Sequence, residues 1–180
     1  TNDGGTISVG HIYPTLNRNN SLTLTGSGTF ISYVTPTVVY NTFNVYAENT
    51  LIVDEGWSGD LGQVSITIAY RDENEGKDYN AATVQLTSGT FQSIGPQSWN
   101  YASTTAGSWL AEGYAFRHTD GEKAWVRYDT KLETEYATAK NPLDNLEVVK
   151  CEHAAFEDGR CVYCNYECMH KTIDDSTGTC

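Results

Sequence analysis

All five cysteines and two of the four histidines fall between Cys151 and Cys180. Thiolates and imidazoles at short, repeated spacings are the ligands of tetrahedral metal sites, so chemistry is sought first in this tail. Its first unit reads Cys151-x-His153, seven residues, then Cys161-x-x-Cys164. A Cys-x-x-Cys pair brackets a tight knuckle in which two thiolates grip one ion from adjacent backbone turns. Asn165 follows it, a residue that tolerates the left-handed backbone such knuckles often need. Asp158-Gly159 supplies the reversal that returns the chain toward Cys151. Together these residues predict a closed, structural zinc site with three sulfurs and one nitrogen, leaving no position for water. A unit this small has almost no core, so the metal would supply most of its folding energy.

A second unit starts at once with Cys168-x-His170, nine residues, and Cys180, with Asp175 and Gly178 in the turn between them. It stops one ligand short of the first unit's pattern, and the expectation is a tandem array cut inside its second module, with weaker or absent metal there. Two other arrangements stay open. The cysteines could pair as disulfides, as secreted proteins allow. A single site could instead combine Cys161, Cys164, Cys168 and His170. Disulfides need no histidine, and Cys-x-His occurs twice, which favours zinc.

The elements that must position this tail read as strands. Hydrophobic content of 39% with 19% charged residues suits a folded chain and argues against disorder. At 180 residues there is room for one buried domain and a small satellite. Strand-like runs recur at Thr6–Val9, Ser21–Thr25, Val38–Tyr40, Thr50–Val53, Val64–Ile68 and Thr83–Thr87, several alternating apolar with polar. One fragment occurs twice, as Leu24-Thr25-Gly26-Ser27-Gly28-Thr29-Phe30 and as Leu86-Thr87-Ser88-Gly89-Thr90-Phe91. A strand, a glycine turn and an inward Phe suit the corner of a β-solenoid with coils of roughly 15–20 residues. The alternative is a β-sandwich in which both copies are ordinary hairpins.

The predicted organisation is an all-β solenoid over residues 1–130, a linker and last strand over 131–150, and the Cys/His tail over 151–180. An aromatic-dense hairpin from Trp109 to Tyr128, turning at Asp120-Gly121, would cap the solenoid's open end. Such a β domain should unfold independently of residues 145–180. Both chain ends read as cut points in a longer protein.

No catalytic signature is evident elsewhere in the sequence. No Gly-x-Ser-x-Gly elbow, His-Glu-x-x-His helix or phosphate loop occurs. His11 and His118 stand apart from any nucleophile, and His118-Thr119-Asp120-Gly121 reads as a surface turn. Asp72-Glu73-Asn74-Glu75-Gly76-Lys77-Asp78 offers oxygen ligands in a calcium-like order but lacks the terminal Glu, so an acidic loop is the simpler reading. Trp57, Trp99 and Tyr101 could stack on sugars or cap corners of the fold. The net charge of −12 repels nucleic acid and anionic membranes. No run approaches the ~18 apolar residues of a membrane span. A non-catalytic module with an unknown protein or glycan ligand is the expectation, with a glycan-binding or glycan-degrading protein as the alternative.

The Cys-x-His…Asp-Gly-x-Cys-x-x-Cys…Cys-x-His pattern resembles the tail repeats of large surface proteins from Gram-positive anaerobes, including gut species. The segment Leu86-Thr87-Ser88-Gly89-Thr90-Phe91-Gln92-Ser93-Ile94 is similar to their β-helical coils. Leu110-Ala111-Glu112-Gly113-Tyr114-Ala115-Phe116 followed by Asp120-Gly121 is similar to the segment that closes them. The resemblance spans roughly residues 21–180. It implies a secreted or cell-wall-associated, adhesin-like modular protein and carries over no catalytic residue.

Overall fold

The computed structural model describes residues 7–10, 18–30, 43–66, 70–72, 76–96, 103–135, 138–140 and 143–167. His11, Glu73–Glu75, Trp99, Tyr101, Cys168, His170 and Cys180 lie outside the described residues. The architecture is mostly β, as expected, with one short 3₁₀ turn at Ala106–Trp109 among the described residues. The strands of the first half are Ile7–Val9 (β1), Ser21–Ser27 (β2), Phe43–Val45 (β3), Thr50–Ser58 (β4), Gln63–Ile66 (β5), Tyr70–Asp72 (β6), Lys77–Tyr79 (β7), Thr83–Leu86 (β8) and Thr90–Pro96 (β9). Those of the second half are Ser103–Thr105 (β10), Tyr114–His118 (β11), Lys131–Glu135 (β12), Thr138–Lys140 (β13), Leu143–Lys150 (β14), Phe156–Glu157 (β15) and Arg160–Cys161 (β16).

Two sheets share the first half, and the chain alternates between them. One sheet has the order β1-β3-β5-β9-β14-β11, parallel through its first four strands. The other has the order β2-β4-β8 and is parallel throughout. In-register parallel pairing places like positions over one another, and a period of two sends alternate side chains inward. The result is a set of apolar columns. Leu22, Leu51 and Val84 form one, and Leu24, Val53 and Leu86 the next. On the facing sheet Phe43, Val64 and Ile94 stack. These residues join a single hydrophobic core, in which Leu22 and Leu24 are only partly buried. Among the described strands, β1, β3, β5 and β9 pair in parallel, as do β2, β4 and β8.

Spacing differs from expectation. Leu22 stacks on Leu51 and Leu51 on Val84, 29 and 33 positions apart. Stacked partners lie 21 positions apart at Phe43 and Val64 and 36 apart at Ile7 and Phe43. Excursions between strands, including the β6–β7 hairpin, lengthen the turns beyond the roughly 15–20 residues first read.

The duplicated fragment sits where stacking requires. Leu24 and Leu86 occupy one column with Val53 between them. Past the corner, the Phe30 amide donates to the Asp60 carbonyl at 2.8 Å, and the Leu61 amide donates to the Thr90 carbonyl at 2.8 Å. The middle level carries two extra residues, because register passes from Leu24↔Val53 to Gly26↔Trp57. Its Gly59 has φ 140°, and a Cβ there would come 1.8 Å from the Gly28 carbonyl oxygen. Only glycine permits that approach.

Both ladders end against one segment. On the first sheet β14 pairs antiparallel with β9, and β11 pairs antiparallel with β14. On the second, Leu110 bridges Leu86, and the Ala111 amide donates to the Leu86 carbonyl. Of the expected hairpin, β11 is a strand and its return arm makes an isolated bridge at Trp125, with the Val126 amide donating to Phe116 and the His118 amide to Ala124. The stretch expected as a linker is folded instead. β12 pairs with β10 and β13, and Leu132 is fully buried. Leu143, Leu146 and Val148 on β14 belong to the main core, the last two of them within residues 145–180. The polar texture of Lys131–Asp144 misled because a short strand needs only one or two inward apolar residues, here Leu132 and Leu143. No helix of the described residues is long and apolar enough to cross a membrane.

Candidate metal centre

β14 delivers the chain directly to the first ligand. The Cys151 amide donates to the Gly113 carbonyl at 2.9 Å, continuing the β11–β14 pairing by one step. The backbone then turns through His153, whose φ is 53° and whose amide donates to Cys151 Sγ at 3.4 Å. β15 and β16 form a two-residue hairpin with Asp158 at φ 49° and Gly159 at φ 77°. Positive φ at both central residues matches the twist of the flanking strands, which is why Asp-Gly closes such hairpins. The pairing sets Phe156 opposite Cys161.

The knuckle follows. The Asn165 amide donates to the Cys161 carbonyl at 2.9 Å, and Asn165 adopts φ 59°, the left-handed turn its type allows. The Cys161 amide in turn donates to the Tyr166 carbonyl at 2.9 Å. Cys161 and Cys164 are buried, at 1% and 7% exposure.

Cys151, His153, Cys161 and Cys164 therefore converge, with one ligand atom from each lying within 4.8 Å of all the others. Cys151 Sγ and Cys161 Sγ are 3.6 Å apart, and Cys164 Sγ is 3.4 Å from His153 Nδ1. A tetrahedron with metal–sulfur bonds near ~2.3 Å and a metal–nitrogen bond near ~2.0–2.1 Å has edges of roughly 3.5–3.8 Å, so these two separations are close to its edges. A disulfide would hold two sulfurs at about 2.05 Å. The three described cysteines are free thiols. Burial pushes the Cys151 and Cys164 thiols up, and Cys161 adds to the rise of both. A divalent cation at the centre reverses that electrostatic balance and holds thiolates. The four residues could thus hold a metal ion, and their donor set is compatible with zinc.

The unit is docked. Ala115 on β11 is fully buried against Cys161 and Cys164, with Trp125, Phe156 and Tyr163 packed around them. Alternation along β11 makes this possible, since Tyr114 and Phe116 face the main core while Ala115 faces the cysteines. Trp125 and Tyr163 stack at 5.7 Å, and the Tyr128 amide donates to the Val162 carbonyl at 2.8 Å. Arg127 makes a two-pronged contact with Glu157, both distances being 2.8 Å. These docking residues were not singled out as such from sequence. Their signal was the small Ala115 alternating with Tyr114 and Phe116.

Of the other sequence-selected residues, Trp57 is buried in the core and His118 is half-buried on β11. The second-unit ligands Cys168, His170 and Cys180 lie outside the described residues. Separately, the Tyr114 hydroxyl donates to Glu55, whose carboxylate also lies 3.6 Å from Lys150. No protein-family model, curated protein or solved structure matches the chain.

Proposed function

We propose that this chain is a non-catalytic extracellular surface module, adhesin-like in role. In this reading it is a short β-solenoid whose end is fastened by a structural zinc unit. Zinc would be held by Cys151, His153, Cys161 and Cys164, with Cys168, His170 and Cys180 belonging to a second unit of the same repeat. The observation that carries the reading is the convergence of the four ligand atoms within 4.8 Å on a hydrogen-bonded knuckle seated against the cap. Four protein ligands leave no coordination position for substrate, so the ion's work is to hold the fold. Alternation of the chain between two parallel ladders supports the solenoid, and the resemblance of the tail repeats supports a secreted or wall-associated setting.

The carbohydrate-active alternative needs a row of exposed aromatics along one ladder. Among the described residues Tyr166 is the large hydrophobic side chain that is exposed, while Trp57 and Trp109 are buried. Elemental analysis of the full chain purified without added metal, with thiols counted by mass spectrometry, tests the reading. One tightly held zinc, with any second ion weaker, is expected. Metal-free protein with Cys161 and Cys164 in disulfides would overturn it.

A further inference from the structure

The four candidate ligands meet solvent unequally. Cys161 and Cys164 are buried, whereas Cys151 and His153 are half-buried. Glu152 between them and Ala154 beyond them are exposed. A small solute approaching the cluster therefore meets the Cys151 sulfur before the other two. Oxidation of sulfur follows exposure together with thiolate character, and a bound cation keeps the sulfur a thiolate.

The other two sulfurs are unequally placed for a second step. Cys161 Sγ lies 3.6 Å from Cys151 Sγ, while Cys164 Sγ lies on the imidazole side, 3.4 Å from His153 Nδ1. Closing the first pair to the length of a disulfide moves the sulfurs together by only about 1.5 Å. Cys151 and Cys161 also bracket the β15–β16 hairpin, in which Phe156 pairs with Cys161. A link between them keeps that hairpin tied to the end of β14 without an ion.

We propose that Cys151 and Cys161 form an oxidation site, at which a neutral hydroperoxide closes a Cys151–Cys161 disulfide and the cluster gives up its zinc. The proposal rests on the metal reading for the ion. In the first step the Cys151 thiolate attacks a peroxide oxygen, the O–O bond breaks, and hydroxide leaves a sulfenic acid behind. The Cys161 thiolate then attacks that sulfur, the S–S bond forms, and a second hydroxide leaves. Both hydroxides take a proton from solvent and become water. Two thiolates have lost two electrons, and one peroxide has gained them. His153 and Cys164 remain, and two ligands do not close a tetrahedral site. Charge selects the oxidant. A chain of net charge −12 with Glu152 beside the sulfur repels anions and leaves hydrogen peroxide unhindered.

The test is hydrogen peroxide titrated into the zinc-loaded full chain carrying Cys168→Ser and Cys180→Ser, so that the thiols counted are those of the cluster. A chromogenic chelator reads released zinc, and peptide mapping by mass spectrometry reads the linkage. About one zinc released per peroxide consumed is expected, with Cys151 linked to Cys161 and Cys164 still a free thiol. Dimedone added with the peroxide should label Cys151. Thiol reductant with zinc should restore the loaded protein. Zinc retained under excess peroxide, a link that includes Cys164, or dimedone on Cys161 or Cys164 overturns the proposal. Protein that binds no zinc yet yields the Cys151–Cys161 disulfide and the Cys151 adduct refutes the metal reading while leaving the oxidation site standing.

Discussion

The stacked ladders and the Cys/His unit solve one problem, closure of a small volume, with opposite resources. The ladders bury columns of Leu, Val, Ile and Phe contributed by successive turns of chain, so each residue carries a modest share and several fill equivalent places. Among the described residues the tail closes a second, small core of Ala115, Cys161 and Cys164, flanked by four partly buried side chains. At ~25 cal/mol per Å² so little surface cannot offset the ordering of some twenty residues, whereas one bound zinc contributes roughly 10–16 kcal/mol in small metal-folded units. Redundancy marks the first region and concentration the second. The tail nevertheless borrows a platform, because β14 lies between β9 and β11 and leads straight into Cys151.

The sharpest way to break this contrast is to move the cut between the two regions. Removing residues 151–180 should leave a cooperatively folded ladder with a lowered melting temperature. Removing 143–180 deletes Leu143, Leu146 and Val148 and exposes both β9 and β11, and cooperative unfolding should be lost. Calorimetry of the two truncations measures the difference. Equal melting of both would mean that β14 belongs energetically to the tail.

Next in size is metal removal. Chelation, or Cys161→Ser, should erase hydrogen-exchange protection from the amides of Cys151, Cys161 and Asn165, which are bonded to Gly113, Tyr166 and Cys161. Amides of Leu51–Val53 and Val64–Ile66 should keep theirs. Loss of protection in both sets would show a single folding unit. Smaller effects come from one-residue changes on the shared platform. Leu146→Ala should cost about 2–5 kcal/mol, since it empties a fully buried site in the main core. Ala115→Leu overfills the gap to the cysteines and should cost about 1–3 kcal/mol, weakening metal affinity with little change in the ladder. Denaturant titration with and without chelator separates the two.

What could be read in advance follows the same division. The Cys/His cluster was legible because its residue types and spacings bring the four side chains together, down to the left-handed turns at Asp158 and Asn165. The duplicated fragment revealed a corner because Leu24 and Leu86 fall in one column. The intermediate level stayed hidden, since its two extra residues place Asp54-Glu55-Gly56-Trp57 where a matching Leu-Thr-Gly run was sought. Spacing was misjudged because a ladder constrains only the residues inside strands and leaves the excursions free in length. β12 was missed for want of pattern, with Leu132 as its one buried apolar residue. The docking face depends on which strands become neighbours, which the alternation of Ala115 with Tyr114 and Phe116 does not by itself specify.

The smallest effect belongs to the seam where the middle ladder level, the cap and the start of the metal unit meet. Glu55 lies among the extra residues of β4, Tyr114 opens β11, and Lys150 immediately precedes Cys151. Burial, then the Glu55 carboxylate that accepts its hydroxyl, pushes the Tyr114 phenol up to about 12. The hydrogen bond from Tyr114, then the Lys150 ammonium, holds Glu55 below its usual range. For a phenol whose folded pKa exceeds its unfolded value near ~10, the neutral form is favoured by folding. The stability it contributes is therefore complete below pH ~10 and is lost as pH rises through about 12. Glu55 has the opposite sign, contributing above the ordinary carboxylate range and ceasing to do so as pH falls through its lowered value. Spectrophotometric titration of the chain against Tyr114→Phe should isolate one phenol ionising near 12. Glu55→Gln should bring that ionisation down toward the ordinary tyrosine range while zinc content stays the same, because neither residue is a ligand. A Tyr114 that titrates with exposed tyrosines would show that the seam is open to water, and that the two regions meet only through β14 and the Ala115 face.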